Sequence, residues 1–184
     1  MSYLSYSKDF DGVADVFLRD PARYAPLLQF IETVMVGESS LTKAEREMIA
    51  AHVSKLNGCD FCLGAHRSTL AAMDIDISLI EALEADPELA MVDDRFRAIL
   101  KFAAQLTQRP ESIRQRDIDA LREAGWSDQG IEDTINVVAL FNYVNRVVDA
   151  FGIKGEQSYF DDIGAILATQ GYAPLIKTAL RKAG

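Results

Sequence analysis

The sequence predicts an all-α protein folded as a single domain, and three observations carry that prediction. Apolar residues recur at the three-to-four spacing of an amphipathic helix along nearly the whole chain, and no run alternates in the manner of a strand. Helix start and stop signals punctuate the chain at intervals of one helix length. The connections are short, with no low-complexity linker, so 184 residues form one good-sized core rather than two domains.

The elements follow in order. In "DPARYAPLLQFIETVMVGES" a proline stands where a helix starts and glycine marks the end. "LTKAEREMIAAHVSKLNG" places Thr42 and Glu45 at capping-box spacing, with Asn57-Gly58 as the stop. "CDFCLGAHRSTLAAM" follows at once as a helix carrying both cysteines. Then come "SLIEALEADP", "DDRFRAILKFAAQLTQRP", "IRQRDIDALREAGW" and the long "SDQGIEDTINVVALFNYVNRVVDAFGIKG". Two shorter closing helices occupy about residues 158–183. The regions 42–73 and 113–151 read as two helical units with only faint mutual similarity.

Charge and hydropathy exclude several classes of function. With 28 acidic against 19 basic residues the chain carries a net charge of −9, which disfavours nucleic acid and anionic membrane surfaces as partners. No apolar run is long enough to cross a bilayer. No basic segment leads into an apolar one at "MSYLSYSKDF", so a cytoplasmic protein without a secretory signal is expected. In that reducing setting two cysteines point to catalysis or metal binding more than to a structural staple.

Both cysteines and one of the two histidines fall within "NGCDFCLGAH". At ~100° per residue, Cys59, Cys62, Leu63, His66, Leu70 and Met73 share one stripe, and residues three apart on a helix have Cα atoms about 5 Å apart, within disulfide range. Buried cysteines often act as small hydrophobes, and a histidine on an apolar face is commonly a satisfied core residue. The coincidence of all three on one stripe favours chemistry. His66 lies one turn beyond Cys62, where an imidazole favours the nucleophilic thiolate. Cys62 is thus the candidate nucleophile toward a peroxide, and Cys59 can condense with the resulting sulfenic acid to a disulfide. Zinc is the rival, with Cys59, Cys62 and His66 as ligands and Glu47 as a fourth, although a CxxC in mid-helix converges on one ion less readily than one in a turn. Glu47 lies between a small-residue side (Ala44, Ala50, Ala51, Ser54) and an apolar side (Ile49, Val53, Leu56). The helical wheel leaves it either buried with His66 as its partner or on the surface. His52 matches no site and reads as structural.

The stretch "EREMIAAHVSKLNGCDFCLGAH" resembles the core motif of the alkylhydroperoxidase AhpD-like family, part of the carboxymuconolactone decarboxylase-like superfamily. Glu47, Cys59, Cys62 and His66 match its spacing throughout. "FNYVNRVVDAFG" resembles the corresponding segment of the peroxidase-related branch, and the likeness runs from about Val13 to Gly155. The resemblance implies an AhpD-like helical bundle assembled as a homo-trimer or homo-hexamer, with active sites near subunit contacts. It also implies reduction of a hydroperoxide without metal or organic cofactor. Cys62 would be peroxidatic, Cys59 resolving, and Glu47 and His66 a proton relay. The reductant would be a lipoyl-bearing protein, a thioredoxin-like protein or a small thiol. The alternative is a disulfide reductase or redox-sensing oligomer with little peroxidase turnover. One departure bears on this: the best-known peroxidases of the family have a histidine just before the second cysteine, and Phe61 stands there. Phe61 is expected to point away from the sulfurs, toward packing. The superfamily's decarboxylases act on a cyclic lactone acid without such a cysteine pair. Finally, Asn142, Asn145, Arg146 and Asp149 form a polar stripe, read either as a solvated face or as a buried network at a subunit contact or beside the site.

Overall fold

The computed structural model describes residues 3–85 and 91–183, and among them every regular element is helical. The helices are α1 (Val13–Arg19), α2 (Pro21–Val36), α3 (Lys43–Asn57), α4 (Asp60–Ala72), α5 (Ile77–Ala85), α6 (Asp94–Gln108), α7 (Gln115–Glu123), α8 (Asp128–Phe151), α9 (Gln157–Gln170) and α10 (Ala173–Ala183), with one 3-10 turn at Pro110–Ser112. The helix α1 was not separated in the sequence reading. The predicted end of α5 at Asp86 and Pro87 lies outside the described residues.

The start signals act as read. Asp20 accepts from the Arg23 N–H at 3.2 Å and Pro21 sits in the first turn of α2, where its missing N–H costs nothing. At α3 the Thr42 hydroxyl accepts from the Glu45 N–H at 3.1 Å, while the Glu45 carboxylate accepts from the Thr42 N–H at 2.6 Å. Gly58 closes α3 in the left-handed region, φ 70°, which turns the chain sharply into α4.

Helix α3 is the centre of the molecule. Arg46 through Ser54 are all buried, and α3 packs against α4, α6 and α8. A helix apolar on two sides must be covered on both, which is how its sequence reads. Closing helix α9 lies along α4, and α10 packs on α2 of the same chain. The α4–α9 approach needs a missing side chain: a Cβ on Gly164 would stand 2.6 Å from the Ser68 carbonyl carbon. Lys43 ties the end of α9 to the start of α3, its Nζ donating to the carbonyls of Leu167 and Ala168 at 2.9 and 3.0 Å. No helix among the described residues is long and apolar enough to cross a membrane.

Candidate active site

The α3–α4 turn brings the four motif residues together. Glu47 lies on the buried middle of α3 and His66 on α4, one helix packed on the other. Their side chains meet at 2.6 Å between Glu47 Oε2 and His66 Nδ1, with Glu47 1% and His66 3% exposed. That resolves the two readings of Glu47 in favour of the buried, partnered one. An ionised carboxylate only accepts, so facing one Nδ1 would carry the hydrogen and Nε2 would be left to take or give a proton. The His66 ring is also held edge-on to Phe141, 4.4 Å between centroids.

The cysteines differ from the helical wheel in one respect. Cys59 is not within the helix: it is the N-cap of α4 with extended backbone angles, and Cys62 is the third residue of the first turn. The pair therefore sits at a helix N-terminus, where unsatisfied N–H groups and the helix dipole favour negative charge. Both are free thiols and nearly inaccessible, Cys59 1% and Cys62 4% exposed. A hydrogen bond to Cys62, burial and the reach of Asp149 push the Cys59 thiol far above its usual range, so Cys59 keeps its proton.

The placement at a turn removes the earlier objection to zinc from a mid-helix CxxC. Even so, among the described residues no group of three or more His, Cys, Asp and Glu side chains converges as a metal site. His66 Nδ1 is already engaged by Glu47.

The polar stripe on α8 divides. Asn145 is fully buried, accepting from Asn57 Nδ2 at 2.8 Å and donating to Ser54 Oγ at 3.0 Å. Asn142 accepts from Asn57 at 3.2 Å and donates to Thr107 Oγ1 at 3.3 Å. Arg146 and Asp149 are exposed. The stripe thus runs from a buried network to the surface, where Arg146 still donates to Asn142 Oδ1 at 2.8 Å, and its buried part pins the end of α3 that delivers Cys59. Asn57, read in sequence only as a stop signal, is the hinge pin of that network.

Cys62 and His66 open on an apolar cavity of about 90 Å³ walled by α1, α2, α8, α9 and the start of α10, with Phe17, Phe141, Ile163 and Leu167 among its lining. Phe61 packs on Phe160 and Tyr159, ring centroids 5.4 and 5.6 Å apart, as expected. It also lines the cavity beside Cys62, which the sequence reading did not foresee. Two further lining residues were missed, Tyr159 and Tyr172, because both lie in the closing segment far from the motif. Among the described residues no lysine or arginine lines the cavity. His52 faces elsewhere: it is buried toward α6, where it donates to the Leu100 carbonyl, and burial lowers its proton affinity.

Comparison with known proteins agrees with this architecture. The sequence profile of the carboxymuconolactone decarboxylase family matches residues 21–105. The crystal structure of an uncharacterized peroxidase-related protein from Silicibacter sp. TM1040 is 36% identical, with a TM-score of 0.69 over 75% of this chain and 71% of that one. An AhpD core structure, a peroxidase-related protein from Ralstonia eutropha JMP134, is 26% identical, with a TM-score of 0.75 over 82% of this chain and 78% of that one. The alkyl hydroperoxide reductase AhpD of Rhodococcus erythropolis is 33% identical over 86 residues, 44% of this chain and 48% of that one.

Proposed function

The chain belongs to the carboxymuconolactone decarboxylase family, in its AhpD-like, peroxidase-related branch, and on that premise we propose that it is a thiol-dependent hydroperoxide reductase. The observation that carries the reading is the buried Glu47–His66 pair, in contact at 2.6 Å, whose His66 lines the same cavity as Cys62. A buried carboxylate–imidazole pair beside a thiol at a helix N-terminus is an arrangement for moving one proton.

The chemistry runs in two steps. Cys62 gives its proton to His66 Nε2, and the thiolate attacks the terminal oxygen of ROOH. The S–O bond forms as O–O breaks, leaving a sulfenic acid on Cys62 and an alkoxide that leaves as ROH once protonated. Cys59 then attacks the Cys62 sulfur, and its proton departs with the hydroxyl as water. The sum is two thiols and ROOH to a disulfide, ROH and water. A thiol reductant restores the pair by exchange; a lipoyl-bearing protein, a thioredoxin-like protein and a small thiol all fit that role. The apolar cavity favours an organic hydroperoxide, and its lack of a cationic residue disfavours an anionic lactone acid. We take the protein to work in the cytoplasm as a homo-trimer or homo-hexamer. Exposed Phe30 and Tyr143, 46% and 47%, supply apolar surface suited to subunit contacts.

A second reading, disulfide exchange or redox sensing with little peroxidase turnover, draws on Phe61, which has no proton to give at the position between the cysteines. One experiment separates the two. The fully reduced protein receives one equivalent of cumene hydroperoxide, free thiols are counted against time, and the linkage is mapped by peptide mass. Rapid loss of both thiols to a Cys59–Cys62 disulfide is expected. Cys62→Ser should abolish it, and Cys59→Ser should stop at one oxidised thiol. A slow or absent wild-type reaction would leave only the exchange or sensing role, and reversed variant phenotypes would exchange the two cysteines' roles.

A further inference from the structure

Reduction of a hydroperoxide creates an alkoxide, which needs a proton to leave as ROH. Among the described residues four side chains with a transferable proton line the cavity: Cys62, His66, Tyr159 and Tyr172. Cys62 is the nucleophile, and His66 takes the Cys62 proton while Glu47 holds its Nδ1. Tyr159 is committed to α1. Its hydroxyl is packed against the start of α1, where a methyl group built on Gly12 would collide with it.

Tyr172 is different. Its backbone is anchored, the N–H donating to Glu32 Oε2 at 2.6 Å. The preceding Gly171 makes the turn from α9 to α10 at φ 62°, with Glu32 Oε2 only 2.7 Å from where a Cβ would stand. A side chain there would disrupt both the turn and the anchor. The Tyr172 hydroxyl, in contrast, makes no hydrogen bond to any described residue. Tyr172 lines the cavity shared with Cys62 and His66, and its phenol lies within the field of Glu47 and Cys62. A rigidly delivered phenol with an uncommitted hydroxyl, on the wall that carries the reacting sulfur, is a donor awaiting an acceptor.

Resting on the peroxidase reading above, we propose that Tyr172 is a catalytic residue, the acid that protonates the alkoxide leaving from the peroxide as Cys62 takes the terminal oxygen. The O–H bond of Tyr172 breaks as that of ROH forms, and the phenolate recovers its proton from the Glu47–His66 pair, which received it from Cys62. The cycle returns every group to its starting state. Burial, with the charges of Glu47 and Cys62, raises the phenol well above its ordinary range and keeps it protonated as a donor at neutral pH.

The test compares leaving groups. Tyr172→Phe keeps the ring and removes only the donor. Oxidation of Cys62 by cumene hydroperoxide, whose leaving alkoxide needs a proton, should slow by about 100-fold, the lower end for a lost general acid. Oxidation by perbenzoic acid, whose carboxylate leaves unaided, and alkylation by iodoacetamide should each change by less than about threefold. A uniform loss with all three reagents would mean that Tyr172 only shapes the site, and an unchanged rate with cumene hydroperoxide would remove it from the reaction. Either outcome overturns the proposal while leaving the peroxidase reading standing. A wild-type protein inert to both oxidants overturns the peroxidase reading, and the role of Tyr172 with it.

Discussion

Replacing Glu47 by glutamine isolates the charge in the proposed relay. The amide has nearly the shape of the carboxylate, and its oxygen can still accept from His66 Nδ1 across the 2.6 Å contact. What is lost is the stabilisation of an imidazolium by an ionised partner. Hydrogen bonds to charged groups contribute about 1.5–3 kcal/mol against about 0.5–1.5 kcal/mol for neutral ones, so the imidazolium loses about 1–1.5 kcal/mol. Both groups are almost wholly buried, 1% and 3% exposed, so solvent restores little of this. A proton-transfer step through His66 should then slow about tenfold, since ~1.4 kcal/mol is one decade. The assay is stopped-flow thiol loss with one equivalent of cumene hydroperoxide at pH 7, alongside urea unfolding of the same variant. Urea should show a change below about 1 kcal/mol for Glu47→Gln but about 1–3 kcal/mol for Glu47→Ala, which leaves the buried imidazole unpaired. A Glu47→Gln protein of wild-type stability that consumes peroxide at the wild-type rate would refute the relay.

Two further outcomes concern the scaffold. Burial lowers the proton affinity of His52 from its ordinary value of 6.5, so below that pH the unfolded chain binds a proton that the native protein refuses. Stability from this source is complete above pH 6.5 and falls as pH drops toward the depressed native value, by up to about 1.4 kcal/mol per pH unit. Urea midpoints at pH 7.5 and 5.5 should converge in His52→Gln relative to wild type, and an equal pH dependence in both would show that His52 is not the source. Gly164→Ala places a methyl 2.6 Å from the Ser68 backbone, which cannot rotate aside. It should cost about 1–3 kcal/mol as α9 is forced off α4. A net gain from the better helix former would mean the two helices are free to part.

The legible parts of the fold were those with local causes. Capping atoms lie within three residues of what they cap, so Thr42 with Glu45 and the Gly58 stop could be read directly. The burial of α3 was readable because apolar and small residues occupy both its sides. The position of Cys59 was not, because the wheel carried α4 one residue too far, and the left-handed turn at Gly58 leaves Cys59 as an extended cap. A stripe such as Asn142 to Asp149 has one spacing whether wet or buried. Only the nearness of Asn57 and Ser54 shows that Asn145 is inside.

The sequence by itself determined the helical class and the motif spacing. It also singled out Cys62 as the better nucleophile candidate, because a CxxC followed by a histidine one turn on is a short-range pattern and short-range geometry is set by the helix. Only the tertiary structure decided that Glu47 reaches His66, that Phe61 borders the cavity as well as packing beneath it, and that Tyr172 returns to the same wall from the far end of the chain. The physical reason is that these contacts join residues on different helices. Such helices share no periodicity, and what joins them is the packing of α3, α4, α9 and α10 around one buried volume.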